Sequence, residues 1–378
     1  MTKRRARATT ELLCVAAAAG LLAFAAFADV GFYERHVAPN FCVDRPLAGW
    51  LAVRGVAAGL GLLLAIVVRP RLGRVIARAP GRELAITAAG VAVALVAALA
   101  VGEAVLRRAR WDDQIGGENV ADLQPDPRLG WSYVPNRTFT FGPPERRFSY
   151  AIDAHGERVR SLDEVSDPDA PALVVAGESI AFGHSVGWDE SFPALVGHDL
   201  GLRVVNIGVA AYGSDQNYLH LLDVLPRLAQ PRLVVIVFVP VQIRRNVSPR
   251  RPHLELAAHG KLVPVPAATG LGTLRLGRLF WDEPYHDHHA LDVTRAILVA
   301  TDAAVRARGA QPLFLVTNYG PACRDPEPDM QKELFAGLPH IRVDLDDADV
   351  VTPGDDRHPS VAGSRKVAEA IVSYVRRP

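Results

Sequence analysis

Cysteine is scarce in this chain, with three in 378 residues. That number cannot build a disulfide framework, so stability has to come from packed apolar surface. Cys14 sits in an apolar run and reads as a small buried hydrophobe. Cys42 and Cys323 are a candidate bridge, but their positions along the chain say nothing about their distance in space. An excess of either charge is also missing. Lys and Arg total 42 against 41 Asp and Glu, for a net charge of +1, which excludes an overall field directed at nucleic acid. There is no internal repeat, and no low-complexity tract beyond alanine-rich apolar segments.

What is present is unevenly placed. Residues 11–106 are nearly all Ala, Val, Leu and Gly, and most of the charge lies further on. Three apolar runs stand out: Leu12 to Ala28, Leu47 to Val68 and Leu84 to Gly102. Crossing a bilayer takes about 20 apolar residues, so residues 1–106 are expected to form a membrane region with about three helical spans. Arg54 lies near one end of the second run, where its long side chain can reach the headgroups. Buried helices of a soluble core are the competing account, and the near absence of a polar face on three successive runs weighs against it.

Basic residues set the expected orientation. Lys3, Arg4, Arg5 and Arg7 precede the first run, and Arg69, Arg71, Arg74, Arg78 and Arg82 lie between the second and third. Positive charge stays in the cytoplasm, which places everything after the third run outside, against a mild opposite bias from Arg107, Arg108 and Arg110. The first run is alternatively a signal peptide ending at Ala26-Phe27-Ala28. Both topologies export the C-terminal part, to the periplasmic or extracytoplasmic side of the inner membrane.

Residues 107–170 are polar, rich in Pro and Gly and dotted with aromatics, and the alternation at Thr138-Phe139-Thr140-Phe141 predicts a linker with a small β segment. From 171 to 378, apolar β-branched runs alternate with helical patterns. Strands are expected at 173–176, 203–207, 233–239, 313–316 and 341–345, and helices at 192–200, 215–228, 291–308 and 361–376. That alternation predicts an α/β fold, a three-layer α/β/α sandwich with a mostly parallel sheet.

Such sheets carry their sites at the carboxyl ends of the strands, and three segments fall there or close the fold. Ser179 follows the first strand directly, in Gly177-Glu178-Ser179. A serine at such a turn is held exposed with backbone N–H groups nearby, although a plain helix N-cap gives the same pattern. Asn206 to Gly213 is a small-residue loop after the second strand. Asp355 stands three residues before His358, just ahead of the last helix, and could orient an imidazole that takes a proton from Ser179.

As an ordered set these segments resemble the SGNH (GDSL-type) hydrolase family over roughly residues 126–376. The resemblance implies a flavodoxin-like sheet, a nucleophilic Ser179, and Asp355 and His358 as acid and base. It further implies an oxyanion hole from the N–H groups of Ser179 and Ala211. Pro359, Gly363 and Ala368 fit the last block. Asp126 to Trp131 and Gly156-Glu157-Arg158 resemble a leader segment found ahead of this domain in bacterial members.

Three departures stand out. Glu178 replaces the usual Asp, and Ala211 the usual oxyanion-hole glycine. Val241 replaces the asparagine whose amide donates to the oxyanion, with Gln242 able to supply a substitute amide if the loop shifts. Loss of one such donor typically costs about 10²–10³ in rate. An ordinary α/β-hydrolase fits less well, because its acid lies well before the histidine rather than three residues away.

Two other clusters have bland readings beside sharp ones. His286, His288 and His289 with Asp287 and Asp292 form a run that more often is a solvated loop than a metal site. Arg244, Arg245, Arg250 and Arg251 read as a solvated loop rather than a polymer-binding patch. No cofactor is expected. The expected partners are the bilayer, an acylated carbohydrate or other ester, and an acyl-transfer partner of the envelope, in an esterase or O-acyltransferase. The rival is a catalytically impaired module that binds a glycan or an envelope partner.

Overall fold

The computed structural model of the chain describes residues 3–29, 47–78, 122–141, 147–164, 167–269, 288–320, 328–351 and 358–377, with isolated positions at 32, 96, 99–100, 103 and 104. They belong to two compact units.

The first unit holds helix α1 (Lys3–Phe27), helix α2 (Leu47–Leu63), a π-helical turn (Leu64–Val68) and helix α3 (Arg69–Arg78). Within it, Trp50–Leu72 is a 23-residue helical stretch long and apolar enough to cross a membrane, while Cys14–Phe27 is shorter. Leu51, Val56, Leu60 and Ile66 are exposed on the longer stretch, a surface of the kind that lipid covers. Arg54 behaves differently from the snorkelling expected of it. Its Nε donates to Ala25 O (2.9 Å) and a terminal nitrogen to Ala26 O (3.3 Å), so the cation caps the last turn of α1. Those carbonyls have no partner within their own helix, and the negative end of the helix dipole attracts the charge. Trp50 Nε1 adds a bond to Ala28 O at 2.9 Å. Most of the third apolar run lies outside the described residues.

The second unit is built on an eight-stranded sheet. Its strands are β3 (Arg137–Phe141), β4 (Phe148–Ile152), β5 (Arg158–Val159), β6 (Ala172–Ala176), β7 (Arg203–Asn206), β8 (Pro231–Phe238), β11 (Gln311–Thr317) and β12 (His340–Val343), in the spatial order β12-β11-β8-β6-β7-β5-β4-β3. The five strands from β12 to β7 are parallel, and β5, β4 and β3 add antiparallel at one edge. Short hairpins β1–β2 (Leu123–Asp126, Gly130–Tyr133) and β9–β10 (His253–Leu256, Leu262–Val265) stand apart. By sequence, residues 107–170 were set apart as linker and leader. The sheet's hydrogen bonding runs straight across that boundary, and β5 pairs with β7 through Arg158 and Asn206.

Parallel strands buried on both faces read as continuous apolar runs, and β6 and β8 show the consequence. Val174, Ala176, Val234 and Ile236 face one cluster with helices α6 (Ser214–Val224) and α8 (His288–Ala307). Leu173, Val175, Val235 and Val237 face the other with α5 (Phe192–Leu200) and α10 (Val361–Val375). This is the three-layer α/β/α sandwich expected. β6 lies between β7 and β8, so the chain order reverses at its carboxyl end, the position where α/β folds place ligand crevices.

Helix α6 carries two buried titratable groups of opposite effect. Burial pushes the Asp215 carboxyl up to about 6, and no hydrogen bond reaches its Oδ2. Burial likewise pushes His220 down to about 4. Unfolded values are about 3.9 and 6.5. Between pH 4 and 6 the folded Asp215 holds more protons than the unfolded one, so its contribution to stability falls as pH rises. Between pH 6.5 and 4 the folded His220 holds fewer, so its contribution falls as pH drops. Each is on the order of 3 kcal/mol, and the two slopes oppose. Asp215→Asn therefore exposes the histidine slope, and the urea midpoint of that variant in detergent rises between pH 4.5 and 6.5 more steeply than that of the wild type.

Candidate active site

The nucleophile candidate sits where β6 meets the single-turn helix α4 (Ser179–Phe182). Gly177 has φ +154°, and a Cβ there would meet Ala181 Cβ at 2.6 Å and Val237 Cβ at 2.8 Å, so only glycine fits the turn. The N-cap is Glu178 rather than Ser179: its Oε1 accepts from Ile180 N at 2.9 Å. Ser179 is thereby released from capping. Its Oγ lies 2.7 Å from His358 Nε2 and donates to Glu178 Oε2 at 2.5 Å.

His358 reaches Ser179 from the start of α10, 179 residues later in the chain. Val351 N donates to His358 O (2.8 Å), Pro359 bridges to Val350, and Ser360 N donates to Asp349 O (2.7 Å). Ser360 caps α10 through Gly363 N, and a Cβ at Gly363 would lie 2.2 Å from Asp349 O. These contacts fix the backbone on both sides of the imidazole. The ring also packs edge-on to Tyr319 at 5.6 Å and against His184 at 4.7 Å. Asp355, the expected orienter, lies outside the described residues.

The loop after β7 forms the next wall. Asn206 Nδ2 donates to Ala181 O (3.0 Å) and Phe182 O (3.2 Å), tying β7 to the nucleophile turn, while its Oδ1 accepts from Gly208 N. Gly208 packs so tightly that a Cβ would lie 2.4 Å from Phe182 N. Ala211 has φ +61°, a left-handed conformation that costs a non-glycine residue roughly 1–2 kcal/mol. The backbone here takes a conformation that glycine adopts without that cost.

The leader segment and the arginine cluster brace this loop. Trp131 Nε1 donates to Ala210 O (3.0 Å), Tyr212 Oη donates to Trp131 O, and Gln216 Nε2 donates to Leu129 O. Arg251 donates to Ala211 O (2.8 Å) with its guanidinium 4.9 Å from the Trp131 ring centre, and Arg245 donates to Tyr212 O (3.2 Å). Arg244 and Arg251 are buried. The solvated loop expected at these arginines is therefore corrected, since Arg245 and Arg251 hold backbone carbonyls and Arg244 is buried. Proximity in sequence gave no hint of those partners.

Val241 is buried at the start of helix α7 (Val241–Arg245). Without a shift of its loop, Gln242 does not turn its amide to Ser179. Gln242 is buried, its Oε1 accepts from Ser214 Oγ (2.8 Å) and its Nε2 donates to Val237 O (3.3 Å), so its amide serves the adjoining helix and strand rather than Ser179.

Tyr319, just past the carboxyl end of β11, belongs to no motif that the sequence offered. Its hydroxyl donates to Glu178 Oε2, the oxygen that Ser179 also reaches. Burial and the Glu178 charge push the phenol well above its usual range, so it stays protonated and acts only as a donor. The signal that could have found it is its place at a strand's carboxyl end. Of the histidine run, His286 and Asp287 lie outside the described residues, and among the described residues no three His, Cys, Asp or Glu side chains are grouped to hold a metal. Cys14 is buried with a free thiol, and Cys42 and Cys323 also lie outside the described residues.

No family model matches the chain, and no curated protein does. Among solved structures, it is similar to a carbohydrate acetylesterase family member from Sinorhizobium meliloti, at 12% identity over 55% of this chain and 97% of that one, with a TM-score of 0.35. It is also similar to a member of the lipolytic protein G-D-S-L family from Veillonella parvula DSM 2008, at 12% identity over 55% and 100%, TM-score 0.34. A third is a carbohydrate esterase family 2 enzyme with a carbohydrate-binding domain from Corynascus thermopiles, at 14% identity over 58% and 70%, TM-score 0.34. Such likenesses assign no activity. The layering of this chain and the placing of its blocks at the strand ends agree, on their own geometry, with the SGNH-type fold that the sequence motifs imply.

Proposed function

We propose that this chain is an exported, membrane-anchored serine esterase or O-acyltransferase of SGNH type, acting on ester-linked acyl groups of cell-envelope glycans. The observation that carries this reading is the 2.7 Å approach of His358 Nε2 to Ser179 Oγ at the carboxyl end of β6. A serine and an imidazole that far apart in sequence, each held by its own turn, form the nucleophile–base unit of acyl transfer. Ser179 Oγ attacks the ester carbonyl, and its proton passes to His358. The tetrahedral oxyanion lies against the N–H groups of Ser179 and Ala211. His358 returns the proton to the leaving alcohol, and water or a sugar hydroxyl then takes the acyl group from the serine. Asp355 holds the imidazole in the orientation this needs. Export rests on the arginine bias around the apolar runs, and the glycan substrate on placement outside the membrane.

A second reading is a binding module that keeps the fold without catalysis. Val241 and the inward-turned amide of Gln242 favour it, since the side-chain oxyanion donor of the third block is lost. The two separate under a fluorophosphonate probe applied to the full chain in detergent. Labelling of the wild type that disappears in Ser179→Ala is the expected result. A folded wild type that takes no label would favour the binding module.

A further inference from the structure

We propose that Glu178, in place of His358, accepts the Ser179 proton during acylation and leaves His358 to act as the acid; the inference rests only on the serine-nucleophile part of the reading above. The residue before the nucleophile is one methylene longer than the aspartate expected there, and that length is used. Oε1 caps Ile180 N, which leaves Oε2 turned to Ser179 Oγ at 2.5 Å. Oε2 also accepts from the Tyr319 hydroxyl. The carboxyl group thus accepts three hydrogen bonds through its two oxygens. It is fully buried, so no bulk water competes for the serine proton.

Ser179 has one proton and two neighbours able to take it. When the proton lies toward Glu178, the imidazole nitrogen facing Oγ is free to carry a proton of its own, and the scheme has His358 enter acylation as the imidazolium and leave it as the neutral ring. Acylation then divides the two duties. The Ser179 O–H bond breaks, its proton goes to Glu178 Oε2, and Oγ bonds the acyl carbon. The ester C–O bond breaks, and the leaving oxygen takes a proton from His358. In deacylation the attacking water gives its proton to His358, the acyl–Oγ bond breaks, and Glu178 returns its proton to Oγ. Every proton is accounted for and both groups end as they began. Tyr319 is a positioning residue in this scheme. Its hydroxyl holds Oε2 while Ile180 N holds Oε1.

The scheme separates from a single-base mechanism with p-nitrophenyl acetate, whose phenolate leaves without needing a proton. The measurement is the pre-steady-state burst of p-nitrophenolate from the full chain in detergent, with circular dichroism to check folding. Removing the acid should spare acylation, so His358→Ala keeps a burst well above that of Ser179→Ala. Adding Glu178→Gln to His358→Ala, which retains an oxygen for the Ile180 cap, should lower the burst rate by about 10² or more, the size of a lost general base. Glu178→Asp in the same background keeps the charge but is too short for Oγ, and should fall likewise. Equal burst rates in His358→Ala and in both double variants would overturn the inference while leaving Ser179 as the nucleophile. A wild type with neither burst nor fluorophosphonate label would instead remove the serine-enzyme reading on which it stands.

Discussion

His358→Ala should lower turnover of an unactivated acetyl ester by about 10²–10⁴-fold, with little change in KM. The loss is this large because an alkoxide leaving group needs a proton during acylation, and His358 Nε2, 2.7 Å from Ser179 Oγ, is placed to deliver it. It is also the group placed to activate the water that clears the acyl-serine. The ring makes no claim on binding energy remote from the reacting atoms, so kcat rather than KM should carry the effect. Steady-state hydrolysis of an acetylated sugar checks this. Adding imidazole to the medium should return part of the lost rate, since the cavity left beside Tyr319 and His184 is lined by rings that once packed on the missing one. Turnover within a few-fold of wild type would mean that His358 is not the group that moves the proton.

The parts of this site that were legible in the sequence are those fixed by local chemistry. A glycine forced by a tight strand-to-helix turn puts Gly177 and Ser179 together, and apolar β-branched runs announce β6, β7, β8 and β11. A serine N-cap with a glycine three residues on marks the start of α10, and with it His358. The α/β alternation then brings all of these to one edge of the sheet. What was not legible depends on partners distant in the chain. Nothing in Thr317-Asn318-Tyr319 says that a phenol will reach a glutamate 141 residues earlier. Glu178 looked like a tolerated replacement because its reach depends on the cap it makes with Ile180. Arg245 and Arg251 resemble surface charge in the sequence, since a carbonyl partner leaves no trace in composition. The helices and strands expected over 171–378 lie within a few residues of their observed ends; the hairpin β9–β10 and helix α7 have no counterpart in the expected pattern, and in 107–170 the short edge strands have weak patterns, with β5 placed by its pairing with β7.

Arg158 is the clearest case of such a hidden partner, and its replacement by Met should be among the most damaging changes to the fold. The side chain is buried, with one terminal nitrogen donating to Phe182 O and Gly183 O (2.7 Å to the latter) and the other to Val186 O (3.0 Å). Its guanidinium carbon lies 4.6 Å from the centre of the Tyr150 ring and 4.9 Å from that of Phe182. Burial lowers its pKa to about 10, so it still carries its charge at neutral pH, compensated by carbonyl dipoles and ring faces instead of a carboxylate. Met fills much of the volume but donates nothing. Phe182 O keeps the Asn206 amide, whereas Gly183 O and Val186 O lose this donor. Two buried carbonyls left short cost about 1–3 kcal/mol each, together about 2–6 kcal/mol. For a domain of this size that lowers Tm by roughly 5–15 °C. Lys in its place should recover only part of the loss, because a point charge cannot serve three carbonyls spread over the span of a planar fork. Catalysis should suffer at temperatures where the fold survives, since the three carbonyls belong to the turn that follows Ser179 and keep the nucleophile aimed at His358. Thermal melting of Arg158→Met and Arg158→Lys beside wild type, with kcat measured about 20 °C below each midpoint, tests both halves. An Arg158→Met protein that melts with the wild type and turns over at its rate would show that the leader segment braces nothing the site needs.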